Sequence, residues 1–167
     1  MKKVFCLLTA LLLLSLSLTS CGLTVPAPEV KYGEFDVSVT YEINGELQTL
    51  DLVYVCEYGG VGWTLEGTLY RAWNGHFAGY GDGDVIEICQ TEDGGKIALC
   101  ILIYPEYFMG EPDRSHFEPT VLINHIYYEN GEEMIDDDQE MIAEVFGVKA
   151  VGCEYAPPIE NSFGVFK

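Results

Sequence analysis

In the stretch GYGDGDVIE, residues 79 to 87, Asp82, Asp84 and Glu87 stand among flexible glycines. Hard carboxylate oxygens of this kind suit Ca2+, but the later ligands of an EF-hand loop are missing, and a tight Asp-Gly turn accounts for the same residues. A second group lies in GEPDRSHFEP, with Asp113, Arg114, Ser115, His116 and Glu118 close together. A catalytic triad needs members converging from separate elements, so sequence proximity alone builds none; His116 and Glu118 have only the spacing to share a strand face as metal ligands. His76 and His125 sit in strand-like segments, where packing is the ordinary role. With 27 acidic residues some carboxylates must lie close together, so acid count alone does not argue for a hydrolase. Nucleophile elbow, His-Glu-x-x-His, paired Cys-x-x-Cys and phosphate-cradling glycine loop are all missing from the chain. A non-enzymatic binding or interaction module is therefore expected. The alternatives are a small secreted hydrolase using the acidic loops and a Ca2+-stabilised structural domain.

The aromatic residues are the other candidate chemistry. Trp63, Tyr70, Trp73, Phe77 and Tyr80 cluster within one short stretch, and Tyr104, Tyr107 and Phe108 follow in YPEYFMG. Exposed rings beside carboxylates grip sugars by face contact, which makes Trp63, Trp73, Tyr107 and Phe108 candidate ligand-binding residues. A β core consumes aromatic residues equally well.

These residues need a scaffold, and turn chemistry predicts one. Asn44-Gly45, Asn74-Gly75, Asp93-Gly94-Gly95 and Asn130-Gly131 each separate segments rich in Val, Ile, Tyr and Thr. Such dipeptides favour the primed turns of tight hairpins, so an antiparallel all-β fold is expected over residues 34–167. EFDVSVTYEI alternates Phe35, Val37, Val39, Tyr41 and Ile43 against Asp36, Ser38, Thr40 and Glu42, the pattern of a half-buried strand. ELQTLDLVYVCEY returns from it. A third strand near Trp63 to Trp73 is expected to turn at Asn74-Gly75, with further strands at residues 85–91, 96–104, 120–129 and 148–155. In DDDQEMIAEVFG, Met141, Ile142, Val145 and Phe146 share a helical face, Asp137 and Glu140 have capping-box spacing, and Gly147 stands at the stop. The result is a β-sandwich with one short late helix. A strand meander followed by a helix and a final strand is also similar to the order in lipocalins, which implies a ligand-holding barrel as the alternative. Their Gly-x-Trp near the first strand has no counterpart here, since GVGWT sets Trp63 directly after Gly62 and far from the domain start.

The N-terminus carries an address. Lys2 and Lys3 precede a leucine-rich core from Val4 to Leu18, shorter than the roughly 20 residues an untilted helix needs to span hydrocarbon. The core ends in Leu18-Thr19-Ser20-Cys21, which resembles the lipobox of bacterial prolipoproteins. The resemblance covers residues 1–21 and implies a diacylglyceryl group on the Cys21 sulfur, cleavage of the signal before it, and fatty acylation, palmitate included, of the new N-terminus. The protein is then expected on the extracytoplasmic face of the cell membrane, with the lipid bilayer as its partner through Cys21. Residues 21–33, with Pro26 and Pro28, have the composition of an extended tether. Removing Lys2 and Lys3 leaves 8 − 2 = 6 basic residues against 27 acidic ones, a formal charge of −21. That charge repels phosphate backbones, so nucleic acid is excluded as a partner.

With Cys6 in the signal and Cys21 acylated, Cys56, Cys89, Cys100 and Cys153 are left for the fold. If Gly94-Gly95 forms a two-residue loop, counting outward sets Cys89 opposite Cys100 as a candidate disulfide. The competing role is that of buried thiols acting as small apolar residues. Cys56 and Cys153 lie on expected strands, free to pair or pack.

Overall fold

The computed structural model describes residues 25–80, 85–112 and 118–164. Strand β1 (Tyr32–Ile43) buries Phe35, Val37 and Val39 and half-buries Tyr41 and Ile43, as the alternation requires. Asn44 and Gly45 both take positive φ, 51° and 86°, and set Ile43 opposite Glu46 at the start of β2 (Glu46–Trp63). This is a primed two-residue turn, which matches the twist of the strands it joins.

β3 (Leu69–Phe77) departs from expectation. β2 continues to Trp63, and β3 runs straight through Asn74-Gly75, pairing them with Glu57 and Cys56. Gly75 is no turn residue: a Cβ there would fall on the Tyr54 hydroxyl, so the glycine makes room for a ring that packs on Phe77 at 5.0 Å.

β4 (Val85–Gln90) and β5 (Lys96–Leu102) form the next hairpin. Gln90 faces Lys96, so residues 91–95 make a five-residue loop in place of the two-residue loop expected, and a bulge interrupts β4 between Glu87 and Cys89. After β5 the YPEYF sequence forms a single helical turn, α1 (Pro105–Phe108), started by proline at its first position. β6 (Thr120–Glu129) turns at Asn130-Gly131 into β7 (Glu132–Asp136), an exposed edge strand that the sequence pattern did not reveal.

Helix α2 (Gln139–Phe146) forms where predicted, but Asp138 is its cap. β7 holds the chain extended through Asp136, and the Asp138 carboxylate accepts from the amides of Glu140 and Met141, both at 3.1 Å. Ile142 is buried, Met141 and Phe146 are partly buried, and Val145, expected inside, is exposed. The Gln139 amide clamps the helix to β6, accepting from Ile123 N at 2.9 Å and donating to Ile123 O at 2.7 Å, which satisfies a stretch of strand edge that β7 leaves open. β8 (Val148–Tyr155) then returns beside β1.

The strands form two four-stranded antiparallel sheets, ordered β3-β2-β1-β8 and β4-β5-β6-β7. Val37, Val39, Leu52 and Tyr54 of the first meet Ile97, Leu99, Ile101 and Ile123 of the second in one core. This is the all-β sandwich with a short helix; the barrel alternative is corrected, because the strands divide between two sheets and do not close into one.

Candidate functional site

β2 is longer than its partner β1. Pairing between them stops at Tyr32 opposite Glu57; past Tyr58 and a bulge, Gly60 to Trp63 pair with β3 alone and form a two-stranded arm. Register fixes its two faces. Val61 faces Arg71 and Trp63 faces Leu69, while Gly62 faces Tyr70 on the opposite side. A Cβ on Gly62 would come within 2.5 Å of the Tyr70 ring, so the missing side chain lets that ring lie flat across the strand. Trp63 is 68% exposed and Leu65, in the connecting loop, is fully exposed; Val61 and Tyr70 are exposed as well.

The four aromatic candidates therefore separate. Trp63 stands in solvent, whereas Trp73 is 7%, Tyr107 8% and Phe108 0% exposed. Phe108 packs on Phe35 at 4.7 Å and Tyr54 at 5.8 Å, and Tyr107 meets Tyr155 edge-on. The expected four-ring patch is corrected: α1 turns its rings inward, and Trp73 lies where the arm joins the sandwich, edge-on to Tyr58 at 5.4 Å.

A polar cluster not foreseen from sequence holds the base of the arm. The Trp73 indole N–H and Arg71 Nε both donate to Glu111 Oε1, at 3.1 and 2.6 Å. Arg71 also donates through Nη1 to the Pro26 carbonyl at 3.2 Å, and its guanidinium lies 4.2 Å from the centre of the Phe163 ring. The clue in the sequence was Arg71 and Trp73 two apart on one strand face, both donors in need of an acceptor.

Through this cluster the N-terminal segment is fixed. The Val30 amide donates to Asn161 Oδ1 at 3.0 Å, and Asn161 Nδ2 donates to the carbonyls of Val30 and Met109 at 2.9 and 3.2 Å. Glu29 N reaches Ser162 O at 3.0 Å, and Pro28 bridges Phe163. Tyr58 N donates to Lys31 O at 2.8 Å. Of the expected tether over residues 21–33, the part from Val25 onward is docked on the domain, and Tyr32 and Gly33 belong to β1; residues 21–24 lie outside the described residues.

The remaining candidates part company. Cys89 faces Ile97 and Cys100 faces Val85, because the longer loop and the bulge shift the register; the expected Cys89–Cys100 bridge is corrected, and all four of these cysteines are thiols. Burial, helped by the charge of Glu106, pushes the Cys56 thiol up to about 12. Burial also raises Cys89, with a contribution from Glu87, and Cys153. Glu87 pairs with Lys96 at 3.1 Å, while Asp82 and Asp84 lie outside the described residues, as do Cys21 and His116. Among the described residues no group of three His, Cys, Asp or Glu side chains is placed to hold a metal ion. His125 is buried, stacked on Tyr127 at 4.9 Å and tilted against Phe146 at 4.4 Å. Its Nε2 lies 3.8 Å from Asp93 and has no hydrogen-bond partner among the described residues. Comparison with protein-family models, curated proteins and solved structures finds no match for this chain.

Proposed function

We propose that this chain is an extracytoplasmic lipoprotein, held on the cell membrane by acylated Cys21, whose β-sandwich acts as a non-catalytic binding or interaction module. The observation that carries the anchor is the run from Lys2 through the apolar core to Leu18-Thr19-Ser20-Cys21, in which basic start, core length and box residues agree. Anchoring by one acyl chain is marginal and is often reinforced by a polybasic patch, which a domain of this acidity lacks; two or more chains on one cysteine remove the need. Support for a binding role comes from the arm, where Val61, Trp63, Leu65 and Tyr70 present apolar side chains to solvent in a chain otherwise rich in charge. Clustered exposed apolar residues mark interaction surfaces.

The test is metabolic labelling with a palmitate analogue in a bacterial host that processes lipoproteins. The wild-type protein is expected to take the label and sediment with membranes, and Cys21→Ser to take none and to accumulate as precursor or as released domain. Equal labelling of the two proteins would overturn the anchor.

A further inference from the structure

The docked N-terminal segment touches the aromatic arm at two points. Lys31 lies at the arm's base, its carbonyl bonded to Tyr58 N at 2.8 Å. Pro26 is held by the cluster at the same base, its carbonyl bonded to Arg71, which faces Val61. Register puts Trp63 and Leu69 on the same face of the arm as Arg71, the residue that touches Pro26.

Distances limit where a lipid on Cys21 can be. From Pro26 back to Cys21 is five residues, which span at most about 17 Å when fully extended. The Trp63–Leu69 pair lies two residues beyond Arg71, about 7 Å along the strand. The headgroup layer on each side of a bilayer is about 5–7 Å thick, so an anchor this short keeps the arm within reach of the surface. The arm, tied to Pro26 through Arg71, lies within that reach.

The tip has the chemistry of that layer. Trp and Tyr concentrate at membrane interfaces, where an apolar ring and a polar N–H or O–H are both satisfied. From Tyr58 to Tyr70 the only charged side chain is Glu66, in a chain carrying 27 acidic residues. The arm thus carries little charge to be repelled by headgroups and lies within reach of them.

We infer that the tip of the β2–β3 arm, led by Trp63 and Leu65, seats in the headgroup layer of the membrane that carries Cys21, giving the domain a second membrane contact and a fixed orientation. The inference rests on the lipoprotein reading proposed above. A soluble protein partner or a second copy of the chain is the rival occupant of the tip.

The chain has two tryptophans, one at each end of the exposure range, which makes the test direct. The processed, acylated protein is reconstituted into phosphatidylcholine vesicles whose acyl chains are brominated near the headgroup, and flotation and tryptophan emission are read on the same sample. Seated about 5–10 Å into the interface, Trp63 meets the bromine, so its emission shifts to the blue and falls on the order of twofold relative to unbrominated vesicles. In Trp63→Phe only buried Trp73 emits, and bromination leaves that emission unchanged; far-UV circular dichroism checks the fold of the variant. Flotation with quenching supports the contact. Flotation with Trp63 unquenched overturns it while leaving the anchor intact, and assigns the tip to a protein partner. Failure of the wild-type protein to float overturns the anchor and this inference together.

Discussion

Arg71 Nε and Glu111 Oε1 lie 2.6 Å apart, with only 13% and 11% of their side chains exposed, and the same oxygen accepts from Trp73. One carboxylate thereby holds together a strand of the arm, the indole at its base and, through Arg71, the carbonyl of Pro26. Glu111→Ala would leave a nearly buried guanidinium without a counter-charge and an indole N–H without an acceptor. The expected loss is on the order of 3–5 kcal/mol, measured by urea unfolding. Hydrogen exchange gives the local signature: amides of residues 29 and 30 exchange faster under conditions where the β5 core stays protected. A loss below about 0.5 kcal/mol, the ordinary range for a surface substitution, would mean that the cluster is not structural.

The second prediction concerns Gly75, whose missing side chain is occupied by the Tyr54 hydroxyl. Tyr54 is itself 2% exposed and wedged between Phe77 and Phe108, so it has little freedom to retreat. Gly75→Ala should cost about 1–3 kcal/mol as an overpacking substitution, although alanine generally suits a strand better than glycine. Removing the hydroxyl with Tyr54→Phe relieves part of the clash. The double variant should therefore be more stable than the sum of the two single changes by about 0.5 kcal/mol or more, a coupling that a thermodynamic cycle measures. Strict additivity would break the link between the two residues.

Much of the fold was legible where the local signal has one meaning. The alternation in β1 and the two Asn-Gly turns at residues 44–45 and 130–131 fall where the pattern sets them, because period 2 and positive φ are local properties. Asn74-Gly75 misled because glycine marks either a turn or a close approach, and a ring on the neighbouring strand, invisible in the local sequence, decides between them. β7 escaped notice because its side chains are mostly exposed, and an edge strand with no buried face shows no alternation. The site was harder to read. Trp63 and Trp73 share a face of β3's hairpin, and what separates them is where β1 stops pairing with β2, a boundary that neither tryptophan's neighbours encode. That the segment holding Pro26 and Pro28 would be captured by Asn161 and Arg71, far along the sequence, was not a local property.

Cys56 gives a prediction about pH. Its thiol is fully buried and pushed up to about 12, first by burial and then by the charge of Glu106, against an ordinary value of 9.0. The folded protein therefore keeps this proton across the range in which the unfolded chain releases it. For a group raised on folding, the contribution is fully present below the unfolded value and is lost as pH climbs toward the folded one, so stability should fall between pH 9 and about 12. Tyr32, Tyr128 and Tyr155 are also raised and add alkaline slope of the same sign, so total stability does not isolate the cysteine. The difference between wild type and Cys56→Ala does, because the packing lost with the thiol does not depend on pH. That difference should be constant below pH 9 and shrink above it by up to about 1.4 kcal/mol per pH unit. Alkylation at pH 8 supplies the kinetic counterpart: Cys56 should react only as the domain unfolds, since the thiolate is the nucleophile. Parallel stability curves for the two proteins through pH 11 would show that the Cys56 proton is not held by the fold.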